Sequence, residues 1–456
     1  MTVFGCFLMQ FCTFGYVSSF GVYQGTQQSH DISHPKLIND LGRLLHANLY
    51  DQPTTICNIM DWCIDLVPRS KCHINLGSAV RSRVVVSCYI SMHRRLSISR
   101  KITNSYRLMI VGSLLQSLSL FALSFAKPGQ FYLAFMVQGV LSGFGMGLTY
   151  GPGVAVISQH FSRKRTLVMS LVTSGSPLGS MIHPIMLNHL LNGTVGFAGG
   201  VRASAGFVSA LLLIACLCMR TRGSPVPTVG YAVVARKCSR EALFILMTVG
   251  STLFQIGFYY PIFYLQLDST KHGIDKNFSF YSLVMMNAAC FIGRCMTGII
   301  AAYIGVLNFT IVSSVACSAI TISMIALSDV ASVVVLGVAY GYFSGIFIAL
   351  IVPLVAVLTP DLSELGARMG ICFAFTGMYH LALFSELLTV RECSGFGGLL
   401  GGPLSGALLG SQYTWWIASL FSGLISLVGS LFFVVMRLMI YRRGISGSPS
   451  IAGGDT

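Results

Sequence analysis

The sequence predicts an all-α, polytopic membrane protein, and three observations predict it. The chain of 456 residues is 54% hydrophobic and only 9% charged, whereas soluble domains carry about a quarter charged residues. Its mean hydropathy is +0.74, so polar groups are too scarce to cover the surface and lipid has to solvate most of it. Apolar runs long enough to cross roughly 30 Å of hydrocarbon as helices follow one another along most of the length. Finally, the basic residues gather in alternate loops, the positive-inside pattern.

The apolar runs lie at 3–23, 108–126, 131–157, 166–191, 203–219, 242–266, 278–304, 306–327, 331–358, 366–409 (with an interruption) and 413–436, eleven in all. Met1 to Tyr23 has no basic start and no small-residue cleavage site before a polar mature chain, so it is expected as a span and not as a cleaved signal. The basic loops hold Arg94, Arg95, Arg100, Lys101 and Arg107, then Arg163, Lys164 and Arg165, then Arg220, Arg222, Arg236, Lys237 and Arg240, then Arg442 and Arg443. This puts the 220–241 linker and the C-terminal tail in the cytoplasm. The sequons Asn192-Gly-Thr and Asn277-Phe-Ser then fall outside as glycosylation candidates, while Asn308-Phe-Thr falls inside.

The formal charge of +15 follows this loop pattern, so the expected partner is the lipid bilayer and not nucleic acid. Most of the 14 cysteines lie in apolar spans, where a free thiol is a small apolar side chain. Cys57, Cys63, Cys72 and His73 match none of the usual zinc spacings. No metal and no cofactor is expected, and without a nucleotide loop or nucleophile set the chain is not expected to be an enzyme.

The stretch "GVLSGFGMGLTYGPG" looks like a phosphate cradle, but Gly139, Gly143, Gly147 and Gly151 recur every four residues. On a helix they form one flat stripe where another backbone can approach. A phosphate loop would need a preceding strand and, in the Walker version, Lys beside Ser or Thr. The stripe has a twin about two hundred residues later, in Gly337, Gly341 and Gly345, extended by Ala349 and followed by Pro353. Each copy leads through a short connection into a Gly/Pro-rich span, at 174–184 and 395–406. The chain therefore divides into a bundle at 1–219, a linker at 220–241, a second bundle at 242–443 and a tail at 444–456. Parallel repeats of several spans are the layout of a secondary transporter with its site between the halves.

Specific segments also carry a family resemblance. "FGCFLMQFCTFGYVSSFGVYQ" resembles the first helix of the monocarboxylate-porter branch of the major facilitator superfamily in its fungal form, and "GQFYLAFMVQGVLSGFGMGLTYGPGVAVISQHFSRKR" its fourth. "YYPIFYLQ" resembles its seventh, and "RMGICFAFTG" and "FGGLLGGPLSGAL" the two parts of its eleventh. The likeness covers 1–24, 106–377 and 396–443. It implies a twelve-helix fold, alternating access, and a monocarboxylate or related small organic anion or amphipathic metabolite as cargo, often with a proton. Fungal relatives also include exporters of secondary metabolites and importers of vitamins, and the cell surface is the membrane the resemblance implies.

The same resemblance exposes departures. Residues 25–105 should hold the second helix, yet the segment is polar, His-rich and aperiodic, and the parity of crossings fails there by one. This is the signature of a shifted reading frame or mis-drawn gene model. Removing 378–395 would join "FAFTG" to "FGGLLG" as the family has it, which fits a retained intron better than a functional insertion. The acidic-Gly-Gly-aromatic motif of the branch's first helix is absent. In "GIIAAYIG", Gly298 and Gly305 of a superfamily loop are kept, but Ala302 and Tyr303 stand where its charged pair belongs. A second class of reading is therefore an inactive product of a faulty gene model.

Charged groups inside spans are functional candidates because burying them in lipid is costly. Arg294 matches the arginine of the branch's eighth helix, so the resemblance implies contact with a substrate carboxylate, which suits a guanidinium. Its alternative is a structural ion pair. The aspartate that animal members carry four residues earlier is Cys290 here, and their first-helix lysine has no counterpart. His183 is a candidate proton relay or a satisfied histidine beside Pro184. Gln138, Tyr150, Gln255, Tyr259 and Asn287 are uncharged polar groups at membrane depth, able to line a substrate cavity or to hydrogen-bond between helices.

Overall fold

The computed structural model describes residues 1–17, 19, 105–125, 137–138, 141–161, 164–193, 196–219, 231–359, 361, 364–373, 408 and 415–442. Segments 25–104 and 378–395, where the sequence departs from its relatives, lie outside the described residues. Among the described residues every regular element is helical, as hydrocarbon requires of a chain that must satisfy its backbone internally.

The first half comprises α1 (Thr2–Cys12), α2 (Phe14–Val17), α3 (Ser105–Leu123), α4 (Ser142–His160), α5 (Arg165–Thr173), α6 (Gly175–Asn192) and α7 (Gly196–Cys218). A short linker helix α8 (Tyr231–Cys238) follows. The second half comprises α9 (Ala242–Lys271), α10 (Lys276–Ile304), α11 (Val306–Ser323), α12 (Val330–Val357), a helical turn beginning at 364 and running to 373, and α13 (Trp415–Arg442). The helices α3, α7 and α9 to α13 are each long and apolar enough to cross a bilayer. Two runs expected as continuous are broken by one residue, at Thr13 between α1 and α2 and at Ser174 between α5 and α6.

Each half packs on itself. In the first, α1 lies against α6 and α7, and α3 lies against α4 and α7. In the second, α9 pairs with α13, α10 with α12, and α11 with both α12 and α13. The halves meet where α5 and α6 lie along α10. Gly298 of α10 abuts Leu167 of α5, and Arg294 abuts Thr173. As the residue numbers fall on one helix they rise on the other, so the pair runs antiparallel. The Asn192 end of α6 and the Asn277 end of α10 therefore lie at one end of the molecule, and the linker side at the other.

Glycine sets how closely the helices approach. A Cβ on Gly341 or Gly345 would overlap the carbonyl of Met286 or Cys290, so two members of the second stripe hold α12 against α10. Gly337 is looser, 3.3 Å from a flexible Leu265 methyl. In the first half Gly143 and Gly147 are buried and Gly151 half-buried, and α4 also makes a close backbone approach off the stripe. There a Cβ on Gly145 would lie 2.9 Å from the Gly112 carbonyl and the Gln116 amide of α3. The Gly/Pro span packs more tightly still, with Gly175 and Gly179 of α6 sitting directly on the carbonyls of Phe7 and Phe11. Gly305 takes φ +86° in the turn between α10 and α11, which explains its retention without the neighbouring charged pair.

Hydroxyls inside the helices return their hydrogen bonds to the preceding turn: Thr310 to Val306, Ser318 to Ser314 and Thr321 to Cys317, all within 2.9 Å. This lets polar residues sit at membrane depth without partners on other helices. Replacing Gly179 or Gly345 by leucine is expected to overpack the α1–α6 or α10–α12 contact by about 1–3 kcal/mol. The check is the thermal unfolding midpoint of purified protein, which should fall for both but not for Gly206→Leu, a position with open space around it.

Candidate translocation site between the bundles

The break between α5 and α6 creates the site. Thr173 is the last residue of α5, and the residue four positions on, whose amide would serve its carbonyl, is Pro177. Proline has no N–H, so the Thr173 carbonyl is left without its helical donor. Arg294 supplies one from the other bundle: its Nη1 donates to the Thr173 oxygen at 2.7 Å. The guanidinium is buried, 6% exposed, and its Nε has no hydrogen-bond partner. A cation thus spans the seam through a neutral acceptor, with donor capacity to spare.

Tyr150 of α4 lies within the electrostatic reach of Arg294. Its ring meets Phe14 of α2 at 5.2 Å and Phe373, at the end of the 364–373 turn, at 5.9 Å, so aromatic contacts also bridge the bundles here. Beside it is a cavity lined by Cys6, Met9, Gln10, Thr13, Thr149, Tyr150, Gly153 and Val172. Its lining comes from α1, Thr13, α4 and α5, all in the first bundle, and the space admits about one water molecule. Gln10 was not singled out in the sequence. Its signal was available, an amide in an otherwise apolar first helix.

The other expected residues have separate surroundings. Asn287 shares the Arg294 face of α10, seven positions earlier, but its Nδ2 donates to its own helix at Leu283, 2.9 Å away. Gln138 is buried, its Nε2 without a partner, in the segment that α3 reaches through the hydrogen bond from Ser119 to Val137. Gln255 is half-buried on α9, and Tyr259 stacks on Phe263 of the same helix, 5.6 Å between centroids. His183 is fully buried inside the first bundle, its Nε2 3.2 Å from the Phe11 carbonyl and its Nδ1 unpartnered. The rings of Phe11, Tyr16 and Phe207 surround it.

A charge cluster at the linker end was not foreseen. Arg368, 0% exposed, donates both Nη atoms to Glu241 at 2.5 and 2.7 Å and also reaches Glu364 at 3.0 Å. Lys237 of the linker helix adds 2.9 and 3.1 Å bonds to the two Glu364 oxygens. The cluster ties α8 and the start of α9 to the 364–373 turn. Arg368 stood inside the expected 366–409 span, where a charge demands a partner; its carboxylates are 127 and four positions away, and only the shorter separation is visible in sequence.

The comparisons match this architecture. The profile of the Major Facilitator Superfamily matches residues 99–380. The chain belongs to the major facilitator superfamily. This facilitator is 28% identical over 447 residues to an agnestins efflux protein of Paecilomyces divaricatus, covering 96% of this chain and 87% of that one. It is 31% identical over 338 residues to a fujikurins efflux protein of Gibberella fujikuroi, covering 73% and 67%. Among solved structures it resembles a human organic anion transporter, TM-score 0.66 at 11% identity, covering 95% and 98%. It also resembles a proton:xylose symporter, TM-score 0.65 at 10% identity, covering 95% of each. These last two establish the fold alone. The facilitator is thus a multi-pass integral membrane transporter of the all-α major facilitator fold.

Two outcomes follow from this geometry. Removing Arg368 by Arg368→Leu leaves Glu241 without its partner while Glu364 keeps Lys237, and should cost about 1–3 kcal/mol, read as a lower thermal midpoint. Hydrogen bonds from Lys237, with Arg368 beside it, hold the Glu364 carboxyl below the usual carboxylate range. That stabilisation is complete above the unfolded value of about 4.3 and is lost as pH falls through the lower folded value. Acidification below about pH 4.3 should therefore lower the midpoint of the wild type more steeply than that of Glu364→Gln.

Proposed function

We propose that this facilitator exports a small organic anion or an amphipathic metabolite bearing an acidic group, with Arg294 as the residue that recognises it. The observation that carries the reading is the Arg294 bond to the Thr173 carbonyl. A charge-assisted pair with a carboxylate is about twice as strong as one with a neutral acceptor. An arriving carboxylate would therefore take the guanidinium from Thr173, and the bond that holds α10 to α5 would open as cargo binds. Binding energy is thereby converted into freedom of one bundle to rock on the other, which is alternating access. Tyr150, Gln10 and Thr13, on the walls of the adjoining cavity, would hydrogen-bond the rest of the cargo as the space opens.

The outward direction is supported by the fungal relatives, named as efflux proteins for agnestins and fujikurins. Uptake of a simple monocarboxylate is the second reading, favoured by the resemblance of the eighth-helix arginine. Both readings use Arg294 and differ in the size of the cargo. His183 would serve as a relay only if its enclosure opened, and Asn287, Gln138, Gln255 and Tyr259 are assigned to the wall of the opened pathway. The cell surface is the membrane in this reading, with Asn192 and Asn277 outside.

Transport in yeast cells and in proteoliposomes tests the proposal, with labelled salicylate as a compact aromatic carboxylate and labelled acetate as the simple monocarboxylate. Export of salicylate is expected to fall about tenfold or more in Arg294→Ala, the equivalent of one charged hydrogen bond of ~1.5–3 kcal/mol. Arg294→Lys should retain part of it. Equal salicylate flux in wild type and Arg294→Ala would overturn the assignment, and acetate flux without salicylate flux would favour the second reading. Separately, a glycosidase should shift the electrophoretic mobility of the wild type but not of the Asn192→Gln, Asn277→Gln double variant.

A further inference from the structure

We infer that Asp268 and His272, at the outer end of α9, form a proton-binding site distinct from the Arg294–Thr173 seam and from His183. Asp268 is 1% exposed, and neither of its carboxylate oxygens has a hydrogen bond of good geometry. A carboxylate so enclosed is costly when charged and unpartnered. Its one ionic contact is with His272, one turn later, whose Nδ1 lies 3.0 Å from Oδ1 and also 3.0 Å from the Asp268 backbone oxygen. Two oxygen acceptors around Nδ1 mean that this nitrogen carries the hydrogen, which leaves Nε2 as the acceptor.

The imidazole is about one-third exposed and lies 6.5 Å from the ring of Trp415, where α13 begins. A tryptophan at a helix end marks the lipid–water boundary, so His272 meets water and Asp268 does not. The pair can accept one proton from outside in a balanced step: water delivers H⁺ to Nε2, and the Nδ1 hydrogen passes to Oδ1. The ring ends neutral in its other tautomer and the carboxyl ends neutral, with no other group changed.

Among the described residues the ionisable groups in the field of Asp268 are His272 and Tyr260, both on α9. From α13 come Trp415 and Ser419 beside Tyr260, and α12 sets Gly337 against Leu265, none of them ionisable. Lys271 and Asp275 nearby are exposed. Below the pair α9 has a ready bend, because Pro261 cannot donate to the carbonyl of Gly257. Gly257 in turn rests on the backbone of Ser422 in α13. Neutralising Asp268 removes a buried charge from the segment beyond this bend, so proton occupancy would bias how the outer part of α9 packs on α13.

The coupling role rests on the transport reading above, whereas proton binding itself does not, and the test separates them. The full chain, reconstituted in liposomes without cargo, is titrated by pH-difference infrared spectroscopy across about pH 4 to 7, where carboxylates and imidazoles change charge. A protonated-carboxyl band that titrates in the wild type, disappears in Asp268→Asn and shifts its midpoint in His272→Gln is expected. The same band in Asp268→Asn, or no titrating band in the wild type, overturns the inference. If Asp268→Asn does not fold, an unshifted midpoint in His272→Gln overturns it. For coupling, salicylate flux driven by a pH gradient should fall about tenfold in Asp268→Asn while salicylate exchange at equal pH is kept, and Asp268→Glu should restore the driven flux. Equal driven flux in wild type and Asp268→Asn would overturn the coupling role. A wild type that moves no salicylate would fail the cargo reading and leave the infrared result to decide the proton site.

Discussion

A carbonyl deprived of its donor at Thr173 and a guanidinium deprived of a carboxylate at Arg294 meet across the seam between the bundles, and the rest of the arrangement follows from that bond. In hydrocarbon an orphaned backbone oxygen costs several kcal/mol, and an unpaired cation is costly as well. Each resolves the other's deficit. The bond is strong enough to hold α5 against α10, yet a neutral acceptor loses to an anion. A seam closed by an ion pair would resist an anionic cargo. In the proposed reading, one closed by an arginine and a peptide carbonyl yields to it.

Around that bond the molecule separates rigid from movable contacts. Within the bundles glycine lets backbones touch, as at Gly175 and Gly179 on α1 or Gly341 and Gly345 on α10. Such contacts cannot slide without a steric clash, so each bundle moves as a body. At the linker end, Arg368 with Glu241 and Glu364, and Lys237 with Glu364, fasten α8 to the second bundle. The linker helix is thus held on the second bundle. At the opposite end Asp268 and His272 sit above the Pro261 bend, where a charge change acts on one helix and not on a whole bundle.

Several features were legible residue by residue. Gly341 and Gly345 declared their contact by four-residue spacing, and Arg294 declared itself as a lone cation in an apolar span. Others were hidden for identifiable reasons. Gly145 of α4, off the stripe, also meets the backbone of α3 closely, a contact that the four-residue spacing does not mark. Asn287 has the residue type of a ligand, yet an amide at membrane depth can satisfy itself on its own helix, as it does at Leu283. Asp268 drew no notice because it stands at the polar end of a long helix, where acidic residues are ordinarily solvated; only burial distinguishes it.

Taken alone, the amino-acid order determined the solvent and the helical class. These depend on hydropathy and charge summed over tens of residues, quantities local to the chain. Tertiary structure alone decided which carbonyl Arg294 holds, which carboxylates Arg368 neutralises, and which acid is sealed from water. Those outcomes depend on partners more than a hundred positions away, such as Thr173 for Arg294 and Glu241 for Arg368, or on shielding by whole helices. A pairing energy exists only once two such groups are brought within about 3 Å, and no pattern along the chain encodes that distance.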